Sequence, residues 1–320
     1  MLDLVCLGEL LIDFTPAGKS EQGNELFECN PGGGPANFVV AAGRLGAKIG
    51  FIGQVGHDHF GQYLKQTLEG YHVDTTGLIL SNDYMTTLAF VHLFEDGDRD
   101  FTFYRKNGAD AFLRKEDVAY DVLDRTKVLH FSSLTLVNEI GTESTFAAVH
   151  YAKEKGVMVS YDPNWRPSLW DNDEHCRTSM ASGLTYADVV KVSEEELLYL
   201  TEQNDANAAA ELILSKGPKL VIETCGEKGM RYYHANGCGS SPGFAVQAID
   251  ATGAGDASFG SVMYGILQRG IDLNHIDNAV LEEILRFANA TAAISVTRRG
   301  AMPSLPDTQE VKAFLSEHSA

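Results

Sequence analysis

Apolar residues follow two periodicities along this chain, and the two take turns. The N-terminal run MLDLVCLGELLIDF reads as one buried strand. After the polar stretch TPAGKSEQGNELFECN, a glycine loop leads into PGGGPANFVVAAGRLGA, where Phe38, Ala41, Ala42 and Leu45 share one helical face. KIGFIGQVG returns as a strand. From about Val128 the rhythm is regular: VLHFSSL, a helix over 142–155, VMVSYDPN, a helix near 173–184, ADVVKVS, EEELLYLTE, the helix ANAAAELILSKG and KLVIETCG. Strands alternating with helices of this length imply a mostly parallel sheet covered on both faces, an α/β fold.

Two segments break the rhythm. TTLAFVHLFEDGDRDFTFYRK carries two β-rich arms around Glu95-Asp96-Gly97-Asp98 and predicts a hairpin. Its first arm is apolar on both sides, with Leu88, Phe90 and His92 on one and Ala89, Val91 and Leu93 on the other. Together with the polar stretch it predicts a small β lid, from segments near 14–30 and 84–106, on one α/β domain spanning 1–320. No internal repeat or low-complexity segment interrupts the pattern.

Composition narrows the partners. The 320 residues are 44% hydrophobic and 22% charged, ordinary for a globular chain with a sizeable core. A formal net charge of -19 argues against nucleic acid or an anionic membrane surface as the main partner, so any phosphate site must be local. Cys6, Cys29, Cys176, Cys225 and Cys238 form no CxxC pair, which reads as reduced thiols in a cytoplasmic protein. The apolar N-terminus carries Asp3 and Glu9 without a basic region, unlike a signal peptide or a membrane span.

Several motif matches fail. Gly18-Lys19-Ser20 lacks the earlier glycine of a phosphate-binding loop, because that position is Asp13. Gly253-Ala254-Gly255 lacks the last glycine of a dinucleotide fingerprint, because that position is Ser258. His57-Asp58-His59 reads as a solvated loop, and neither HExxH nor GxSxG occurs.

The stretch DATGAGD, residues 250–256, precedes a helix marked by Phe259, Val262, Met263, Ile266 and Leu267. The mouth of that helix therefore lies at Gly253, Ala254, Gly255 and Asp256, where unpaired N–H groups and the helix dipole suit an anion. Asp256 there could take a proton from a hydroxyl nucleophile, or simply cap the helix; the local pattern leaves both readings open.

Two longer stretches weigh on that choice. DATGAGDASFGS resembles the C-terminal signature of the PfkB, or ribokinase-like, family of sugar kinases, and NPGGGPANFVVAAGRLG resembles its N-terminal signature. The resemblance covers nearly the whole chain. It implies the ribokinase-like α/β fold, with a central mostly parallel sheet, helices on both faces and a small β lid. It implies transfer of the γ-phosphoryl group of Mg-ATP to a sugar hydroxyl, with Asp256 as base and Gly253, Ala254, Gly255 and the Asp256 N–H as anion hole. KVSEEE stands where the family has NxxE: Glu196 would act on Mg²⁺ through water, while Ser193 replaces the usual Asn. TCGEKG resembles a nucleotide-side motif, which implies that Ser193, Thr224, Gly226, Gly229 and Asn289 face ATP. Asp250 and Thr252, with TRRGAMPS, suggest a K⁺ site.

On the sugar side the resemblance implies that Asp13, Gly32, Gly33, Gly34 and Asn37 bind substrate; ribokinases place Lys where this chain has Gly34. FYRKNGAD and DPNWRPSLW are most similar to bacterial fructokinases and add Arg105 and Arg166. The related 2-keto-3-deoxygluconate kinases carry similar arginines, so that sugar acid is the alternative substrate, and a non-catalytic sugar-binding regulator is the alternative of a different class. The exposed face of the lid predicts a homodimer, with Val91 in the interface.

Overall fold

The computed structural model describes residues 1–93 and 99–318, so the Glu95 to Asp98 turn lies outside the described residues. Among those residues the strands are β1 (Leu2–Leu7), β2 (Leu11–Lys19), β3 (Glu25–Gly32), β4 (Ile49–Gly56), β5 (Asp74–Ser81), β6 (Leu88–Leu93), β7 (Arg99–Tyr104), β8 (Thr126–Ser132), β9 (Met158–Asp162), β10 (Val189–Ser193), β11 (Leu220–Thr224), β12 (Gly229–His234) and β13 (Gly237–Pro242). The helices are α1 (Gly34–Arg44), α2 (His59–Gly70), α3 (Tyr120–Leu123), α4 (Glu139–Glu154), α5 (Asp173–Leu184), α6 (Glu194–Thr201), α7 (Ala206–Leu214), α8 (Ala254–Arg269), α9 (Asn278–Val296) and α10 (Thr308–Glu317).

Nine strands form one sheet in the order β13-β12-β11-β10-β9-β8-β1-β4-β5. It is parallel from β11 to β5, and only the β12–β13 edge runs antiparallel. Strand β1 shows how both faces are filled. Leu4 and Cys6 join one core with α1, α2, α8 and α9, whereas Val5 and Leu7 join the other with α4 to α7, as alternation of side chains along a strand requires. The apolar runs of the sequence are the strands covered on both faces. Among the described residues no helix is long and apolar enough to cross a membrane.

The N-terminal run is two strands, not one. Strand β1 ends at Leu7 and β2 begins at Leu11 in a different sheet. Gly8 sits at the break because the chain passes directly beneath α1: a Cβ there would lie 2.5 Å from Pro35 Cγ. His57 and Asp58 introduce α2. Asp58 is its N-cap, accepting the Gly61 N–H and the Thr86 N–H and hydroxyl, and His57 bonds Asn82.

The second sheet, ordered β3-β2-β6-β7, is the lid. Registers pair Asp13 with Ala89, Ala89 with Phe103 and Val91 with Phe101, which puts these five on one face. That face is turned inward: Ala89 is fully buried and Val91 only 2% exposed. The assignment of Val91 to a dimer interface is therefore corrected. The outer face carries Phe14 stacked on Phe90 at 4.9 Å, with Phe27 and Tyr104 edge-on to Phe90, and Tyr104 is 65% exposed.

Candidate functional site

Strands β11, β10, β9, β8 and β1 point their carboxyl ends at one crevice, the usual ligand position in open α/β sheets. Residues at and just beyond those ends supply Thr224, Ser193 to Glu196, Asp162 to Arg166, Leu134 and Glu9. Two adjoining cavities occupy the crevice. The lid-side cavity is lined by Asp13, Glu9, Gly33, Gly34, Asn37, Phe103 and Leu134. The β10-side cavity is lined by Lys191, Ser193, Glu195, Glu196, Thr224 and Gly255. Both include Phe101, Asn164, Arg166, Thr252, Gly253 and Asp256, so Asp256 stands where they meet.

The cap reading of Asp256 does not hold. Gly253, in the left-handed region at φ 75°, is the N-cap of α8, with no side-chain cap. The Asp256 carboxylate instead accepts a hydrogen bond from Asn37 Nδ2 at 3.0 Å. Burial pushes its pKa above the usual carboxylate range, and the Lys191 charge, the Asn37 bond and Arg166 pull it back down. Asn37 is buried, and among the described residues its Oδ1 finds no donor. A buried amide oxygen without a partner is costly, so a ligand hydroxyl in this cavity would satisfy it. The Ala254 N–H already donates to Ala251 O, which corrects its expected place among the free N–H groups of the helix mouth.

Sequence reasoning missed several site residues. Lys191, near the end of β10, donates to Asp162 Oδ2 at 2.9 Å. Burial opposes its charge, but Asp162, Glu196 and Asp256 outweigh burial and hold its pKa above the ordinary lysine value. Its Nζ lies 3.3 Å from where a Cβ on Gly255 would be. Glu9 is 1% exposed and accepts the Gly34 N–H and the Ser132 hydroxyl, with burial raising its pKa to about 7. Asn164 holds φ at 45°, a left-handed conformation that Asn tolerates. The signal for Glu9 and Lys191 was available: each is a charge inside an apolar run, VCLGELLI and VVKVS, and buried charges require partners.

The three consecutive glycines make room for this chemistry. A Cβ on Gly32 would lie 2.1 Å from Asp13 Oδ2, one on Gly33 2.4 Å from Glu9 O, and one on Gly34 2.6 Å from Asn164 Nδ2. Gly32 thus backs Asp13 rather than lining the cavity, while Gly33, with φ of 112°, and Gly34 line it. Ser193 is the N-cap of α6 in a capping box with Glu196, a position that serine fills as readily as asparagine. The other Glu196 oxygen accepts the Trp165 N–H at 2.8 Å.

Other expected residues lie apart. Arg105 is not a cavity residue: its guanidinium bonds Asp110 at 2.7 Å and Leu134 O at 2.8 Å, both partners inside the wall. Arg166 does line both cavities, beside the Phe101 ring. Gly226, Gly229 and Asn289 line neither. A Cβ on Gly229 would strike Ser241 O, and Asn289 Nδ2 donates to Ser241 O and Pro242 O, so these two seat β13. Gly226 is an exposed turn residue at φ 57°. Asp250 joins two loops by accepting the Thr252 N–H and hydroxyl and the Gly300 N–H.

A pH measurement tests the Lys191 assignment. Its charge favours ionised Asp256, so Lys191→Met is expected to move the acid limb of kcat/KM upward by about one unit or more. An acid limb that stays in place would show that Lys191 does not act on Asp256.

Residues 1–308 match the model of the pfkB family of carbohydrate kinases. Probable fructokinase-4 of Arabidopsis thaliana is 40% identical over 98% of this chain and 96% of its own length. A fructokinase from Xylella fastidiosa with bound ATP superposes with a TM-score of 0.92 at 34% identity, covering 100% of both chains. A double mutant of the Vibrio cholerae O395 fructokinase, bound to fructose, ADP and potassium ion, gives 0.89 at 36% identity over 98% of each chain. The strand-end crevice, the half-buried aspartate at a helix mouth and these likenesses together place the chain in the pfkB family, as a fructokinase-like carbohydrate kinase.

Proposed function

We propose that the chain transfers the γ-phosphoryl group of ATP to the primary hydroxyl at O6 of fructose. The observation that carries this reading is the meeting of two cavities at Asp256. On the lid side, Asp13 and the open Asn37 Oδ1 suit sugar hydroxyls. On the β10 side, the α8 mouth and Lys191 suit phosphates. Asp256 accepts the proton of the attacking hydroxyl, while the helix-mouth N–H groups and Lys191 face the charge that moves toward the departing nucleotide. The donor set fits magnesium, which binds through one or two carboxylates and keeps several waters. Each Glu196 oxygen has one lone pair engaged and keeps another, and Glu195 lines the same cavity, so these two would hold it. Bound there, the ion would neutralise phosphate charge. The loops joined by Asp250 are where K⁺ would sit.

Arg166 is the one arginine among the described residues lining the lid-side cavity, which favours a neutral sugar over 2-keto-3-deoxygluconate. An intact Asp256 and anion hole oppose the silent-regulator reading. Assaying fructose, 2-keto-3-deoxygluconate, ribose, adenosine and mannose with Mg-ATP tests the substrate. Fructose should give the highest kcat/KM, with faster turnover in K⁺ than in Na⁺ or a bulky organic cation. Preference for the keto acid would overturn the fructose reading, and equal rates in all three salts would remove K⁺.

The lid's outer face supports a homodimer. Phe27 and Tyr104 leave aromatic surface exposed around Phe90, and a second lid would cover it. Light scattering should give twice the 34.8 kDa chain mass. Tyr104→Glu should then yield folded monomers. A wild-type mass of one chain would refute the dimer.

A further inference from the structure

Arg105 and Asp110 are a buried ion pair that the proposed reaction does not use, at 6% and 1% side-chain exposure. Arg105 directly follows β7, and Thr87, which directly precedes β6, donates its hydroxyl to the same Asp110. Both strands of the β6–β7 ribbon are therefore fastened to one carboxylate at its base, where Leu88 pairs with Tyr104. Asp110 itself belongs to a short turn anchored to β4, where Gln54 Nε2 donates to Ala109 O at 3.0 Å. The second arm of the guanidinium holds Leu134 O, and Leu134, with Phe101 and Phe103 of β7, lines the lid-side cavity.

Charge adds a second consequence. Glu9, Asp13 and Asp256 face that cavity, with Arg166 as its cation among the described lining residues. The Arg105 guanidinium lies just behind the wall, close enough that it and Asp110 act on Glu9 with opposite sign. We propose that Asp110 is a positioning and specificity residue: it pins the lid ribbon through Arg105 and Thr87, and it withholds the Arg105 charge so that the cavity takes uncharged sugars and rejects sugar acids. Rejection by withheld or opposed charge is a common route to selectivity.

The inference rests on the fructose reading, and kinetics separate the two. Wild type, Asp110→Asn and the double variant Arg105→Gln/Asp110→Asn are compared with fructose and 2-keto-3-deoxygluconate, each at varied ATP. Asp110→Asn should raise the fructose KM about tenfold or more, leave the ATP KM unchanged, and raise the keto-acid to fructose ratio of kcat/KM. The double variant, with both charges gone, should keep the weakened fructose KM and lose the gain in ratio. A folded Asp110→Asn with wild-type KM and ratio would overturn the proposal, as would an ATP KM that rises in step with the sugar's. Should Asp110→Asn fail to fold, the double variant decides: a wild-type fructose KM there overturns the pinning role. Wild type acting on a different uncharged sugar would defeat the fructose reading alone, and the same comparison would then use that sugar. Wild type preferring the keto acid would defeat both.

Discussion

A carboxylate drawn partly out of water needs compensating partners, and the half-buried carboxylate of Asp256 gathers them from several elements. Burial disfavours its ionised form, yet the ionised form is the one that takes a proton. Its partners come from three elements: the Asn37 amide from α1, the Lys191 ammonium from β10 and the helix mouth of α8 itself. Lys191 is buried in turn and requires Asp162 from β9. One carboxylate thus draws two strand ends and two helix mouths around a single crevice, and the parallel sheet is what brings them there.

Close convergence leaves little volume, which is why glycine recurs at the contact points. Side chains at Gly32 and Gly34 would displace Asp13 and Asn164, and one at Gly33 would strike the backbone of Glu9. The lid closes the remaining side. Its inner face contributes Asp13, Phe101 and Phe103, while its outer face leaves Phe27 and Tyr104 exposed.

Elements with strong periodicity were legible before the structure was known. The helix of Phe38 to Leu45, the strands VVKVS and KLVIETCG and the α8 mouth all appear as expected, because apolar spacing reports burial directly. The break at Gly8 was hidden, since apolar residues continue across it and only the passage beneath Pro35 forces the turn. Val91 was misplaced for a related reason: a strand apolar on both faces does not say which face meets the body. Arg105 and Asn289 were read as ligand contacts because residue type matched a motif, but type does not reveal a protein partner already in place, Asp110 for one and the β13 carbonyls for the other. Glu9 and Lys191 could have been found from the cost of burying a lone charge.

Asp256 as the base at the junction of the two cavities is the centre of the proposed reaction. Steady-state kinetics of Asp256→Asn with fructose and Mg-ATP, alongside equilibrium ATP binding, test this most directly. In that variant kcat is expected to fall by about 100- to 10,000-fold while ATP affinity stays near the wild-type value. A folded Asp256→Asn protein that turns over at the wild-type rate would contradict it.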